Sequence, residues 1–203
     1  MTSLHKSGRS VRTPIPVMAG YLALGAGFDI LLRTRGYGLG WALAMSAFIY
    51  AGSMQYVAID LLTGGASLLT TAVTTLLVNA RHLFYGISML ERYRAAGRYA
   101  PYLIFSLTDE TYSLVAARED LTGAECFRIS LLDQLYWVLG TALGSLAGAY
   151  LDFNTTGIDF SLTALFLTVF TEQRLETKDH APALIGLGVS IVCRLLFGAD
   201  SFL

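Results

Sequence analysis

Charge is what this chain has least of. Only 14% of its 203 residues are Asp, Glu, Lys or Arg, against 54% hydrophobic, whereas a soluble domain carries about 25% charged residues. With a mean hydropathy of +0.56, the chain is short of the polar surface that water requires, and lipid is the solvent that fits. Cysteine is nearly absent: Cys126 and Cys193 lie in different segments without metal-ligand spacing. They read as small apolar packers, not a metal site or a disulfide framework. The histidines (His5, His82 and His180) are far apart. HExxH, GxSxG and P-loop patterns are missing, so no enzyme activity, metal or cofactor is expected. A formal net charge of −1, with no clustered Lys/Arg face, argues against nucleic acid as a partner.

What is present is a series of long apolar runs, enough for roughly six spans at about 20 residues each. A basic tail, residues 1–13, holds His5, Lys6, Arg9 and Arg12 and lacks a clean small-residue cleavage site. Residues 14–203 then read as a single transmembrane domain. Its first run, Pro14–Leu32, is interrupted by Gly20, Gly25 and Gly27 and is expected to be a broken or re-entrant helix. Gly36–Leu62 and Ser67–Leu90 follow. Pro101–Ala117 is too short and too acidic for a comfortable span, and Phe127–Leu151, Phe160–Phe170 and Ala181–Phe197 complete the series. Backbone groups in hydrocarbon must pair within their own segment, and these runs do not alternate as barrel strands do. The expected fold is therefore all-α, a polytopic transmembrane helical bundle.

A faint internal similarity relates Gly20–Phe28 and Phe48–Gln55 to Gly140–Gly148 and Leu165–Gln173. It suggests inverted repeats, residues 14–90 and 127–203, joined by a non-spanning segment at 100–117; such repeats underlie many secondary transporters. The basic loops (Arg33 and Arg35, Arg92–Arg98, Arg118 and Arg128, Arg174 and Lys178) place one face in the cytoplasm.

Polar residues inside apolar runs are costly and usually face a protein interior or aqueous cavity. Gln55 lies well inside the second run, preceded by the small Gly52 and Ser53. It serves either a substrate path or an interhelical hydrogen bond. In Val78-Asn-Ala-Arg-His-Leu-Phe-Tyr-Gly86, residues Thr75, Asn79, His82 and Gly86 share one helical face flanked by Tyr85. Arg81 points elsewhere and needs an acid, a carbonyl or the membrane surface. Asp109 and Glu110 are either its counter-ion and a proton-coupling carboxylate, or the start of a helix after Thr108. Asp133, Gln134, Glu172 and Gln173 are weaker candidates, and Gly140, Gly144 and Gly148 form a small-residue ridge for helix packing. Asn154-Thr-Thr156 matches a glycosylation sequon, a common pattern.

Ala51-Gly-Ser-Met-Gln55, Val78–Gly86 and Leu107-Thr-Asp-Glu-Thr111, taken together, resemble the signatures of the AzlC family, large subunits of branched-chain amino acid exporters. The resemblance spans about Pro14 to Phe197. It implies a multi-pass transporter of the bacterial inner membrane that exports branched-chain amino acids, with methionine as a further substrate. A small hydrophobic AzlD-type partner and the proton gradient are implied with it. The matching positions are Gly52, Ser53, Gln55, Asn79, His82 and Tyr85, expected at the substrate path, with Arg81, Asp109 and Glu110 expected in coupling or gating. The chain stops at Leu203, where members of the family it resembles commonly continue; the expectation is either that the partner covers the face a missing last span would leave or that the chain is shortened. The competing readings are a membrane assembly subunit whose polar cluster docks a partner, and, third, an intramembrane enzyme.

Overall fold

The computed structural model describes residues 14–116, 118, 120–150, 167, 171 and 181–197. The expected segment at 160–170, Glu172, Gln173, the sequon, His5 and His180 lie outside them, apart from Leu167. The chain divides into two compact units, Met1–Ile158 and Asp159–Leu203. The described residues contain no strand.

In the first unit, α1 (Ile15–Thr34) is followed by α2 (Leu39–Phe48), α3 (Gly52–Thr63), α4 (Leu68–Asn79) and α5 (Arg81–Ala95). A 3₁₀ turn (Gly97–Tyr99) then leads to α6 (Ala100–Phe105), α7 (Asp109–Ala116) and α8 (Gly123–Tyr150). In the second unit, α9 (Ala181–Phe197) is described, and its bounds coincide with those of the last apolar run. Start signals are local and legible. The Ser67 side chain accepts from the Thr70 amide at the head of α4. Thr122 and Glu125 exchange bonds reciprocally at the head of α8, a capping box.

α1 corrects an expectation. It runs unbroken for 20 residues through Gly20, Gly25 and Gly27. Its Val17–Thr34 stretch is the one helix among the described residues long and apolar enough to cross a membrane; Leu39–Phe48, Leu68–Asn79 and Leu184–Leu196 are apolar but shorter. The glycines serve contact rather than breakage. α8, at 28 residues, extends about 42 Å at 1.5 Å per residue and lies against α1 along their small residues. A β-carbon on Gly25 would stand 2.7 Å from the Trp137 carbonyl oxygen, and one on Gly140 2.7 Å from those of Tyr21 and Leu22. One on Gly144 would come closer still to that of Ala26. Only glycine lets the two backbones approach this closely. Arg33 of α1 reaches Asp29 at 3.8 Å and also donates to Ser145 of α8.

The second and third runs are interrupted. α2 ends at Phe48 and α3 begins at Gly52, with Tyr50 between them at φ +43. That left-handed conformation is rare for a bulky residue and is imposed by its surroundings. α4 and α5 are separated at Ala80, whose amide bonds back to Leu77 in a 3₁₀-type turn. α6 and α7 are separated by Ser106–Thr108.

Buried apolar side chains hold the unit. Phe28, Leu32, Ala42 and Ile59 are fully buried, and Met89, Tyr93, Leu103, Leu107, Val115, Cys126 and Ile129 form a core cluster. The outside is equally apolar. Leu68 of α4 is 90% exposed, and Leu76, Leu83, Phe84 and Ile87 are each 70% exposed or more. An exposed apolar surface of this extent is foreign to a water-facing monomer.

Candidate functional site

The sequence motifs all fall at the helix interruptions. Gly52, Ser53 and Gln55 occupy the first turn of α3; Asn79 ends α4 and Arg81 opens α5; Asp109 and Glu110 open α7. The fold brings these starts together. Arg81 Nη1 lies 2.6 Å from Asp109 Oδ2, and Arg81 Nη2 donates to Ser53 Oγ at 2.6 Å. One guanidinium thus ties the beginnings of α3, α5 and α7. A carboxylate is electrostatically favoured at the head of α7, and the pair is only partly open to solvent, with Arg81 at 28% and Asp109 at 16% exposure.

Thr108 and Thr111 fix the α7 start. The Thr108 amide donates to Thr111 Oγ1 at 2.7 Å, the Thr111 amide donates to Thr108 Oγ1 at 3.3 Å, and Thr111 Oγ1 donates to the Ser106 carbonyl at 3.1 Å. Asp109 and Glu110 thus open a helix, and Asp109 also meets Arg81. Glu110 takes another course, with its Oε2 accepting from the Tyr21 hydroxyl at 2.7 Å. That hydroxyl also lies 2.9 Å from Thr108 Oγ1.

His82 and Tyr85 stand beside the ion pair. His82 Nδ1 lies 3.1 Å from the Asn79 carbonyl across the α4–α5 interruption. The His82 and Tyr85 rings meet edge to face at 5.9 Å, and Tyr85 stacks on Tyr112 at 4.5 Å. The Asn79 side-chain oxygen is buried without a partner among the described residues.

Gln55 lies apart from Arg81. Fully buried, it donates through Nε2 to Ser46 Oγ at 3.2 Å, and Ser46 Oγ is 2.9 Å from Thr141 Oγ1. This chain of bonds links α3, α2 and α8, while the Gln55 carbonyl oxygen is unpartnered among the described residues. Gly52 faces the Trp137 ring, which a β-carbon would approach to 2.9 Å.

The buried polar face of α8 is the part of the site that sequence reasoning missed. Ser130, Asp133, Trp137, Thr141 and Ser145 follow a three–four–four–four spacing that puts them on one face, and all are buried. In the sequence Asp133 and Gln134 stand out singly; the spacing is the signal that joins Asp133 to the rest. Gln134 Nε2 donates to the Ala47 carbonyl at 3.0 Å and its Oε1 accepts from Tyr102 at 2.6 Å. Among the described residues no group of three or more His, Cys, Asp or Glu side chains is arranged to hold a metal ion.

An all-helical chain with an apolar exterior, whose interrupted helices meet at an internal ion pair, is a membrane protein with a polar junction inside it. Residues 16–151 match the family model described as AzlC protein. The chain is 44% identical over 194 residues to the Bacillus subtilis branched-chain amino acid transport protein AzlC, covering 93% of this chain and 76% of that protein. It is 43% identical to an uncharacterized membrane protein of Helicobacter pylori strain 26695, over 93% of this chain and 85% of that one. It is 27% identical to the Escherichia coli inner membrane protein YgaZ, over 85% and 76% respectively. No solved structure matches. The chain belongs to the AzlC family, a family of transport proteins.

Proposed function

We propose that this chain is the large subunit of a two-component secondary transporter that exports branched-chain amino acids, with methionine as a further substrate, across the bacterial inner membrane. The observation that carries the reading is Arg81, held by Ser53 and Asp109 where three interrupted helices begin. Helix starts bring partial positive charge and free amides to one place, which suits the carboxylate of an amino acid. Discontinuous helices meeting at a polar centre are the usual device of secondary transporters. In this reading Gly52, Ser53, Gln55, Asn79, His82 and Tyr85 lie along the substrate path, and the Arg81–Asp109 pair opens and closes with it, Glu110 coupling the change to protons.

Residues 14–203 act as one multi-pass domain of about six segments, with α2–α3 and α4–α5 as interrupted spans. The mutual contact of the Gly25 and Gly140 regions supports an inverted repeat, because the two similar stretches, Gly20–Phe28 and Gly140–Gly148, are the ones that pack on each other. A small hydrophobic AzlD-type subunit is the partner.

A second reading, an assembly subunit that transports nothing, draws on α4, which has no buried residue and presents itself as a docking helix. Efflux separates the two. Cells expressing the chain with its partner should lose preloaded leucine, valine and isoleucine faster than empty-vector cells. Equal retention would end the export reading. If efflux is present but survives His82→Ala and Asp109→Asn unchanged, transport stands and the site is misassigned.

A further inference from the structure

Next to the Arg81 junction stand two carboxyl groups, one buried and one half-buried, neither of them in an ion pair among the described residues. Asp133, on α8, is fully buried, and among the described residues neither of its oxygens has a hydrogen-bond partner. The ion pairs Asp29–Arg33, Asp60–Arg35 and Asp109–Arg81 leave it out. Among the described residues, Tyr21 from α1, Tyr50 from the α2–α3 link, Tyr102 from α6 and Glu110 from α7 lie close enough to interact electrostatically with it. None of them is a cation. Tyr21 spans the gap: its ring meets that of Trp137, one turn along α8 from Asp133, at 5.5 Å, and its hydroxyl donates to Glu110. The buried Tyr50 hydroxyl has no hydrogen-bond partner among the described residues, and its backbone is held at φ +43, a conformation that persists only where the surroundings enforce it.

An ionised carboxylate buried without a cation costs several kcal/mol even after relaxation, and a second carboxylate nearby adds to that cost. Such a pair must acquire positive charge. The smallest cation is a proton, which needs no cavity and suits a group with no exposed surface.

We propose that Asp133 and Glu110, whose charges both act on the hydroxyls of Tyr21 and Tyr50, form an acid pair that carries one proton through each transport cycle. The proton comes from water on one side of the membrane, forms an O–H bond at a carboxylate oxygen, and returns to water on the other side when that bond breaks. The inference rests on the transport reading and extends it from Glu110 to Asp133. Glu110 follows Asp109 in the first turn of α7, so a change of charge at the acid pair acts through one helix start on the Asp109–Arg81 contact.

Infrared difference spectroscopy of the purified full-length protein in lipid nanodiscs reads the acid pair directly. The expected result at neutral pH is a carbonyl stretch of a protonated carboxylic acid that shifts in heavy water and disappears in Asp133→Asn. Asp133→Glu, which keeps the acid, moves the band. Absence of the band in the wild-type protein, its persistence in Asp133→Asn, or its loss when sodium chloride replaces choline chloride overturns the proposal, the last result identifying a metal-cation site. A second arm uses proteoliposomes containing both subunits. Asp133→Asn should lose net leucine efflux driven by a pH gradient yet retain leucine–leucine exchange, and retained net efflux or equal loss of both overturns the proposal. If the wild-type protein moves no leucine in either mode, it is the transport reading that fails, and the infrared result alone decides whether the acid pair exists.

Discussion

Arg81 Nη1 and Asp109 Oδ2 meet at 2.6 Å although one opens α5 and the other opens α7. The same guanidinium donates to Ser53 in the first turn of α3. Three segments that hydropathy treats as separate are thereby joined at their polar starts, and the strength of that joint depends on both charges being present.

Removing one partner leaves the other charge partly buried and uncompensated, which costs about 3 kcal/mol or more. Arg81→Met and Asp109→Leu should each lower the midpoint of thermal unfolding in detergent. The double substitution should recover most of that loss, because neither charge then remains buried alone. Transport should not recover in the double variant, since the apolar pair can neither attract a substrate carboxylate nor separate in response to charge. Unfolding midpoints and leucine efflux of the three variants, measured together, check this. Recovery of efflux along with stability would reduce the pair to a packing element.

The α1–α8 crossing makes a purely structural prediction. Gly140→Ala would put a methyl 2.7 Å from backbone oxygens of Tyr21 and Leu22, and Gly144→Ala would press one closer still against the Ala26 carbonyl oxygen. Backbone cannot yield as a side-chain tip can, so each substitution should destabilise by about 1–3 kcal/mol, the usual cost of overpacking. Gly20, on the same α1, has nothing within 4 Å of its would-be β-carbon, and Gly20→Ala should be neutral or slightly stabilising, because alanine is the better helix former. Unfolding midpoints of the three variants give the comparison directly.

That crossing also marks where sequence reading stops. The glycines of Pro14–Leu32 are legible, but alone they suggest a broken helix, and only the opposing ridge on α8 explains why they occur in an intact one. The bounds of α9 are open to reading, whereas the apolar run alone starts α8 at Phe127 and overlooks the local Thr122–Glu125 capping box that opens it at Gly123. The interruption at Tyr50 is not, because Phe48-Ile-Tyr-Ala51 carries no proline or glycine and its backbone conformation comes from tertiary packing. At the site, the motifs name Arg81 and both carboxylates as candidates. Choosing Asp109 for Arg81 and Glu110 for Tyr21 requires the turn that Thr108 and Thr111 impose. The α8 face from Ser130 to Ser145 is diluted among leucines along a 28-residue helix, and its polar members make sense only once α1, α2 and α3 are packed upon it.

Gly52 offers a test that separates the start of α3 from general stability. A β-carbon there meets the far end of the Trp137 ring at 2.9 to 3.4 Å, and a ring can swing where a backbone cannot. Gly52→Ala should therefore fold with a cost of about 1 kcal/mol, at the low end of overpacking, while pushing the Trp137 ring away from α3. Because Trp137 shares its helix face with Asp133 and its ring touches Tyr21, the displacement should lower the leucine efflux rate more than it lowers the amount of folded protein. Trp137→Phe removes the ring atoms that the added methyl would strike. The double variant Gly52→Ala/Trp137→Phe should then be more active than Gly52→Ala alone, relative to protein present. The comparison needs efflux rates normalised to membrane abundance for the wild type, both single variants and the double. If the double variant is as slow as the product of the two single effects predicts, Gly52 and Trp137 act independently, and the close approach of α3 to α8 contributes nothing to transport beyond holding the fold.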